Sequence, residues 1–297
     1  MSPEKSVPIV ANPVSGGGVG RARAEAIRRA LGERGWDAPI HWTESPGHAE
    51  EIARKLSGEA ERIVACGGDG TIHQVVNGIR DSEVALAVAP AGRGNDLARV
   101  LGVPNDPGAF AEMVAAGKSR RIDLGRAVRE GGQVRRFCTV AALGFDAEVA
   151  RRVVTGGPIR GPGAYIYGVF RTLIGYRPCR VRIEGEFGVF DDEVFLAATA
   201  NTSTYGGGMV IAPGARPDDG QLSICLIRPV SRIRVLWLFK GVRSGRHIHH
   251  PAVTLYQSRS IRITAPSPLE LYADGEFLAT TPVTLEVDPS ALDVLVP

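Results

Sequence analysis

The sequence predicts an α/β N-terminal domain built on a parallel sheet with glycine-rich loops, followed by a mainly antiparallel β domain. Three observations predict this. Short apolar strands alternate with amphipathic helices up to about residue 125, and successive strands end in polar or glycine-rich turns. From there to about residue 282 the texture shifts to longer β-rich segments.

The first half reads in order. Val7 to Ala11 is a strand, Ala22 to Arg34 a helix, Pro39 to Thr43 a strand and His48 to Leu56 a helix. Residues 62 to 66 suit a buried parallel strand, and residues 71 to 80 place Ile72, Val75, Val76 and Ile79 on one helical face. Between them lies Gly67-Gly68-Asp69-Gly70-Thr71, whose glycines let backbone N–H groups approach an anion while the helix start adds its partial positive charge. A plain strand-to-helix turn needs one glycine or two; three, with Asp and Thr interleaved, point to phosphate. The turn accommodates positive φ as well as close approach.

Val84 to Ala89 is the next strand, and Pro90-Ala91-Gly92-Arg93-Gly94-Asn95-Asp96 follows it. Asn12-Pro13-Val14-Ser15-Gly16-Gly17-Gly18 ends the first strand and Thr43 the second. Ligands of open parallel sheets bind beyond the carboxyl ends of strands, so these loops define one crevice.

In the second half, Val134 to Ala141, Val181 to Glu184, Glu193 to Ala200, Gln221 to Ile227, Ser260 to Thr264 and Pro268 to Tyr272 read as strands. Asp146 to Val154, Ala164 to Tyr176 and Ile233 to Val242 read as helices. Asp274-Gly275 is a two-residue hairpin signal between strands. Asp218-Asp219-Gly220 has ordinary turn composition.

Gly67-Gly68-Asp69-Gly70-Thr71, Pro90 to Asp96 and Asp274-Gly275-Glu276 together resemble the signatures of the diacylglycerol kinase-type catalytic domain, a family that includes bacterial lipid kinases and sphingosine kinases. The likeness runs from Asn12-Pro13 to Pro282-Val283-Thr284. It implies an ATP- and Mg2+-dependent transfer of the γ-phosphate to a lipid hydroxyl such as that of diacylglycerol, in a cleft between a nucleotide domain (residues 1–125, with 283–297 returning to it) and a β-sandwich lipid domain (residues 126–282).

Residue by residue, the resemblance implies Asp274 as general base. Asp69 orients its turn or helps to hold magnesium. Asn12, Ser15, Thr43, Gly67, Gly68, Gly70, Thr71, Arg93, Asn95 and Glu276 are implied nucleotide contacts, and Asp218 and Asp219 bind a structural magnesium networked with Asp123 and a lysine. That lysine is absent, since Gly17 stands in its place. Gln74 replaces the family's Glu, and Arg93 its Thr or Ser. Arg93 either exchanges a hydroxyl contact for a charged one or blocks part of the cleft. An NAD kinase-like enzyme shares Gly-Gly-Asp-Gly-Thr but not the other two segments. A non-catalytic lipid- or nucleotide-binding regulator is the alternative that the three departures favour and the retained Asp69 and Asp274 oppose.

Charge adds a location. Residues 1–148 carry 19 Lys+Arg against 19 Asp+Glu, whereas residues 149–297 carry 16 against 13. Val149 to Ile183 holds seven arginines and no acid, and Gly220 to Leu269 eight basic residues and no acid. Arg151, Arg152, Arg160, Arg171 and Arg177 flank Tyr165, Tyr167, Phe170, Leu173 and Ile174, a combination suited to an anionic bilayer. A lipid substrate at the membrane surface is therefore the expected partner rather than nucleic acid, with a homodimer left open. Cys66, Cys138, Cys179 and Cys225 show no CxxC spacing, no run approaches ~18 apolar residues, and no secretory pattern opens the chain. The expected setting is cytoplasmic, with peripheral membrane association. His247, His249 and His250 cannot share one helical face and are expected in a surface turn, not a metal site.

Overall fold

The computed structural model describes residues 5–154 and 163–297. The chain divides into two compact units, Met1–Asp123 with Pro289–Pro297, and Leu124–Asp288.

The first unit contains β1 (Ile9–Ala11), α1 (Ser15–Gly32), β2 (Ile40–Trp42), α2 (His48–Leu56), β3 (Arg62–Gly67), α3 (Asp69–Gly78), β4 (Ala85–Pro90), α4 (Asp96–Val100) and α5 (Pro107–Ala116), and then the start of β5 (Ser119–Arg129). Its strands run parallel in the order β2-β1-β3-β4. The chain steps from β1 outward to β2 and returns on the other side as β3, so the strand order reverses between β1 and β3. In such sheets that gap is where ligands bind. β3 and β4 are almost wholly buried, which is why they read as unbroken apolar runs: helices cover both faces of a parallel sheet. Ile9, Val64, Ala87, Ile27, Leu31 and Phe110 meet in one core.

α1 opens with a turn at Ser15 in which Gly16, Gly17 and Gly18 are left-handed at φ 61°, 79° and 103°, so regular helix runs only after Gly18, close to the expected start at Ala22. The glycine-rich stretch is a coil folded into the helix entry. Gly17 therefore occupies a conformation in which a lysine would be strained.

The second unit contains the remainder of β5, β6 (Val134–Phe137), β7 (Val140–Gly144), α6 (Phe145–Val154), α7 (Gly163–Gly175), β8 (Cys179–Gly185), β9 (Gly188–Val194), β10 (Leu196–Ala200), β11 (Thr204–Tyr205), β12 (Met209–Val210), β13 (Leu222–Ile227), α8 (Arg232–Val242), a 3-10 turn (Arg246–His249), β14 (Val253–Ser258), β15 (Ser260–Thr264), β16 (Glu270–Ala273), β17 (Glu276–Thr280) and the start of β18 (Val283–Leu295). Six strands form an antiparallel sheet in the order β14-β13-β10-β7-β16-β17. β15 pairs with β8 and with the start of β18, and β8 with β9, giving a second layer. In the first unit, the end of β18 lies parallel to β4.

Side-chain alternation explains the apolar strands. Along β13, Leu222, Ile224 and Leu226 enter the core between the layers, while Cys225 and Ile227 enter a second core under the helices. The six-stranded sheet is thus buried on both faces. Within that second core Phe145 stacks on Phe195 at 4.7 Å and meets Tyr176 edge-on at 5.3 Å.

Candidate functional site

At the strand ends of the first unit two loops touch. A Cβ on Gly92 would land on the Cα of Gly68, and one on Gly68 would lie 3.3 Å from the Cα of Gly92. A Cβ on Gly67 would strike Thr71, and one on Gly94 would strike the Asp69 carboxylate. None of Gly67, Gly68 and Gly70 has positive φ. The expectation of positive φ is corrected here: these glycines serve close approach, not an unusual dihedral.

The contact is tied from several directions. Asp69 accepts the Asn95 N–H through Oδ2 at 2.9 Å and the Asp96 N–H through Oδ1 at 2.8 Å. Of its two sequence-based roles, this geometry serves the orienting one. Asn95, at φ 54°, closes its own loop by accepting the Gly92 N–H and donating to the Gly92 carbonyl, each at 2.8 Å. From the β1 loop, Ser15 Oγ accepts the Gly68 N–H at 3.1 Å, and Asn12 Nδ2 donates to Thr71 Oγ1 at 3.4 Å. Thr43 continues the β1–β2 pairing, its N–H donating to Ala11 at 2.9 Å. Gln74 accepts the Gly47 N–H at 3.2 Å; Gln and Glu are equally able to accept there. Arg93 is solvent-exposed on the Gly92–Asn95 turn. Asn12, Ser15, Gly67, Gly68, Gly70, Thr71 and Asn95 are thus brought together around the start of α3, whose first-turn N–H groups are the anion-binding end of a helix.

The second unit holds a separate polar cluster. Asp274 and Gly275 form the two-residue β16–β17 hairpin at φ 53° and 85°. The Asp274 carboxylate is buried and receives the Thr139 N–H at 3.0 Å and the Thr139 hydroxyl at 2.5 Å on Oδ1, with the Cys138 N–H at 2.8 Å on Oδ2. Asn201 holds the other side of that strand entry, donating to the Cys138 carbonyl at 2.9 Å while its own N–H donates to the Thr139 carbonyl at 2.8 Å. Glu276 follows at the start of β17, half-buried.

Thr139 and Asn201 are functional candidates that sequence reasoning missed. Asp146 is a third. It is buried at the head of α6, and burial pushes its carboxyl up to about 6, against the opposing hydrogen bond from Tyr205. Its sequence signal was slight: an acid two residues after Gly144, which itself sits at φ 88° where an apolar strand ends.

Asp218 pairs with Arg216 at 3.1 Å, and Asp219 accepts the Gln221 N–H at 3.0 Å. Asp123 accepts the Ser290 N–H at 2.8 Å. Among the described residues no three His, Cys, Asp or Glu side chains form a metal-holding group. His247 is not in a surface turn. It is buried, with Nε2 3.0 Å from the Ile211 carbonyl oxygen, and burial lowers its pKa. None of the four cysteines is in a disulfide, and burial pushes the Cys66 and Cys225 thiols up to about 12.

Of the basic and aromatic face, Phe170 and Ile174 are exposed and Leu173 is buried. Arg151 and Arg152 pair with Glu148 at 2.8 and 2.9 Å. Arg160 and the Tyr165 side chain lie outside the described residues. Among the described residues no helix is long and apolar enough to cross a membrane.

Comparison with known proteins accounts for both halves of this arrangement. Residues 6–127 match the diacylglycerol kinase catalytic domain, and residues 139–296 match the YegS C-terminal NAD kinase beta sandwich-like domain; the second description concerns the fold of the sandwich. The chain belongs to the diacylglycerol kinase family and is a kinase. A diacylglycerol kinase of Mycobacterium tuberculosis (strain CDC 1551 / Oshkosh) is 32% identical over 98% of this chain and 95% of its own length. One from Staphylococcus aureus (strain JH9) is 28% identical over 99% and 93%. A crystal structure of a diacylglycerol kinase from Bacillus anthracis str. Sterne superposes with a TM-score of 0.74 at 21% identity, covering 100% of this chain and 98% of that one, which shows the shared fold.

Proposed function

We propose that the chain transfers the γ-phosphate of ATP to a hydroxyl of a lipid, with diacylglycerol as the leading substrate. The observation that carries this is the preformed contact between Gly68 and Gly92, held by Asp69, Asn95 and Ser15 at the strand ends. The Gly68, Gly92, Asn95 and Asp96 N–H groups are engaged in holding that contact, which fixes the start of α3, the anion-binding end of that helix, beside the Gly92 loop. The chain's relatives are named diacylglycerol kinases.

Phosphoryl transfer needs positioning, charge stabilisation and a place for the hydroxyl proton. The loops of the first unit supply the positioning. In the second unit Asp274 is the proton acceptor, held by the Cys138 and Thr139 donors and so fixed in orientation. Bound with the nucleotide, Mg2+ would offset phosphate charge, and it would need only one or two carboxylates besides the substrate phosphates. The test is transfer of radiolabel from γ-labelled ATP to a total lipid extract. One labelled phospholipid band that diacylglycerol enriches is the expected result, whereas label confined to NAD or water would refute the assignment.

Reversible attachment to anionic bilayers completes the proposal, because the acyl chains of such a substrate stay in the membrane. The supporting features are exposed Phe170 and Ile174 on α7, and exposed Ile233, Leu236 and Trp237 on α8 beside Arg232, Arg234 and Lys240. Each cation near an anionic surface contributes about 1 kcal/mol, in a salt-dependent way. Co-sedimentation with phosphatidylglycerol vesicles is expected to fall for Arg232→Glu with Arg234→Glu and for Trp237→Ala. Equal binding to neutral vesicles, insensitive to salt, would refute the attachment.

A further inference from the structure

The second unit contains an open cavity of about 540 Å³ that neither the nucleotide loops nor Asp274 takes part in. Its walls come from the end of β7, from α6 and α7, and from the segment that enters β16. Arg151, Arg152, Arg171 and Arg177 line it, against the carboxylates of Glu148 and Glu270. Glu148 is already committed. It accepts from Arg151 through both oxygens, at 3.0 and 2.8 Å, and pairs with Arg152 at 2.9 Å. The hydrogen bond from Arg151 is the largest of the effects that hold its carboxyl below the usual range. Arg171 and Arg177 make no ion pair among the described residues.

We propose that this cavity is a binding site for a phosphomonoester. Arginine forks match the terminal oxygens of a phosphate, and a dianion is the ligand that several guanidiniums, two of them outside any ion pair among the described residues, recognise together. The volume accommodates the phosphate with a glycerol-sized body. The exposed side chains of Phe170 and Ile174, on the helix that carries Arg171, favour a ligand that also bears acyl chains. Under the lipid kinase assignment that ligand is the phosphorylated product, and the site makes the enzyme responsive to membranes in which product has accumulated. The origin of the ligand rests on the proposed function; the site itself does not.

Binding to vesicles containing phosphatidic acid is compared with binding to phosphatidylglycerol vesicles at matched surface charge, because only the former presents a phosphomonoester. Calorimetry with glycerol 3-phosphate forms the soluble arm, and ATP binding is read separately because it reports on the first unit alone. Phosphatidic acid is expected to bind about tenfold more tightly than phosphatidylglycerol. Arg171→Ala and Arg177→Ala should each remove most of that preference, with ATP binding unchanged. Both side chains are exposed and outside any ion pair among the described residues, so thermal stability should stay level, which sets a lost ligand contact apart from a lost structural bond. Binding of glycerol 3-phosphate with the same sensitivity to the variants would assign the site to a soluble phosphomonoester. No discrimination between the two lipids, together with no binding of glycerol 3-phosphate, would overturn the site whether or not the kinase assignment stands. A discriminating wild type whose preference survives both substitutions would overturn it equally.

Discussion

The two units build polar sites by different means. In the first, the working surface is main chain: Gly67, Gly92 and Gly94 each stand where a Cβ would collide with a neighbouring loop or side chain, Gly68 is in tight contact with Gly92, and the loops meet because side chains are missing. In the second, the working surface is side chain. Asp274, Thr139 and Asn201 are brought together from a hairpin and two strand ends, and each is buried. A backbone site tolerates polar exchange but not added volume. A side-chain site tolerates neither a changed donor pattern nor a lost charge.

The largest effect expected from this contrast is at Asp274. Asp274→Asn removes the proton acceptor, and a general base contributes ~10²- to 10⁴-fold. The amide is isosteric and suits the left-handed backbone at φ 53°. It cannot, however, accept on both sides: with Oδ1 facing Thr139, its NH2 group would face the Cys138 N–H. A stability loss of about 1–3 kcal/mol should therefore accompany the activity loss. Turnover normalised to folded protein by chemical denaturation separates the two. A variant that retained more than half of wild-type turnover would remove Asp274 from the chemistry.

The first unit can be broken by one methyl group. Gly92→Ala puts a Cβ on the Gly68 Cα, so the two loops must part, and ATP affinity should drop by about tenfold or more. Gly68→Val, whose Cβ begins 3.3 Å from Gly92, should act in the same direction. Gly17→Ala is the control. At φ 79° with open space around it, the added methyl meets only backbone strain of about 1 kcal/mol, and nucleotide affinity should change less. If calorimetry shows the control to be the more damaging, the loops bind through their left-handed glycines and not through the Gly68–Gly92 contact.

The same contrast explains what the sequence made legible. Glycine loops announce themselves because their reason is local: a strand, a tight turn and a helix follow within ten residues, and Asp274-Gly275 is legible as a hairpin for the same reason. The partners of Asp274 are not, because Cys138 lies 136 residues away and its placement depends on β7 pairing with β16. Asn201 reaches the same segment only through the β7–β10 pairing. His247 looked like turn material since Arg, His and Gly surround it, yet the 3-10 turn aims it under the sheet. The turn at Ser15 is not legible as helix because Gly16, Gly17 and Gly18 leave helical geometry, and the regular helix that follows them is legible from its own pattern.

Asp146 tests the side-chain half of the comparison by pH. Its folded-state carboxyl is raised to about 6 from an ordinary value of 3.8, chiefly by burial. The folded chain therefore holds that proton more tightly than the unfolded chain. Its contribution to stability is most favourable below about pH 4, declines as pH rises through about 6, and is level above that. Asp146→Asn keeps a hydrogen-bonding group beside Tyr205 and removes the buried charge, so at neutral pH it should stabilise the fold by up to roughly 2–3 kcal/mol. Other carboxylates titrate over the same range, so the informative quantity is the difference between variant and wild type in urea unfolding from pH 4 to 8. That difference should grow with pH up to about 7 and then stay flat. Parallel profiles across the whole range would mean that Asp146 ionises as an ordinary surface acid does, and that the second unit does not hold a carboxyl in dry surroundings at the head of α6.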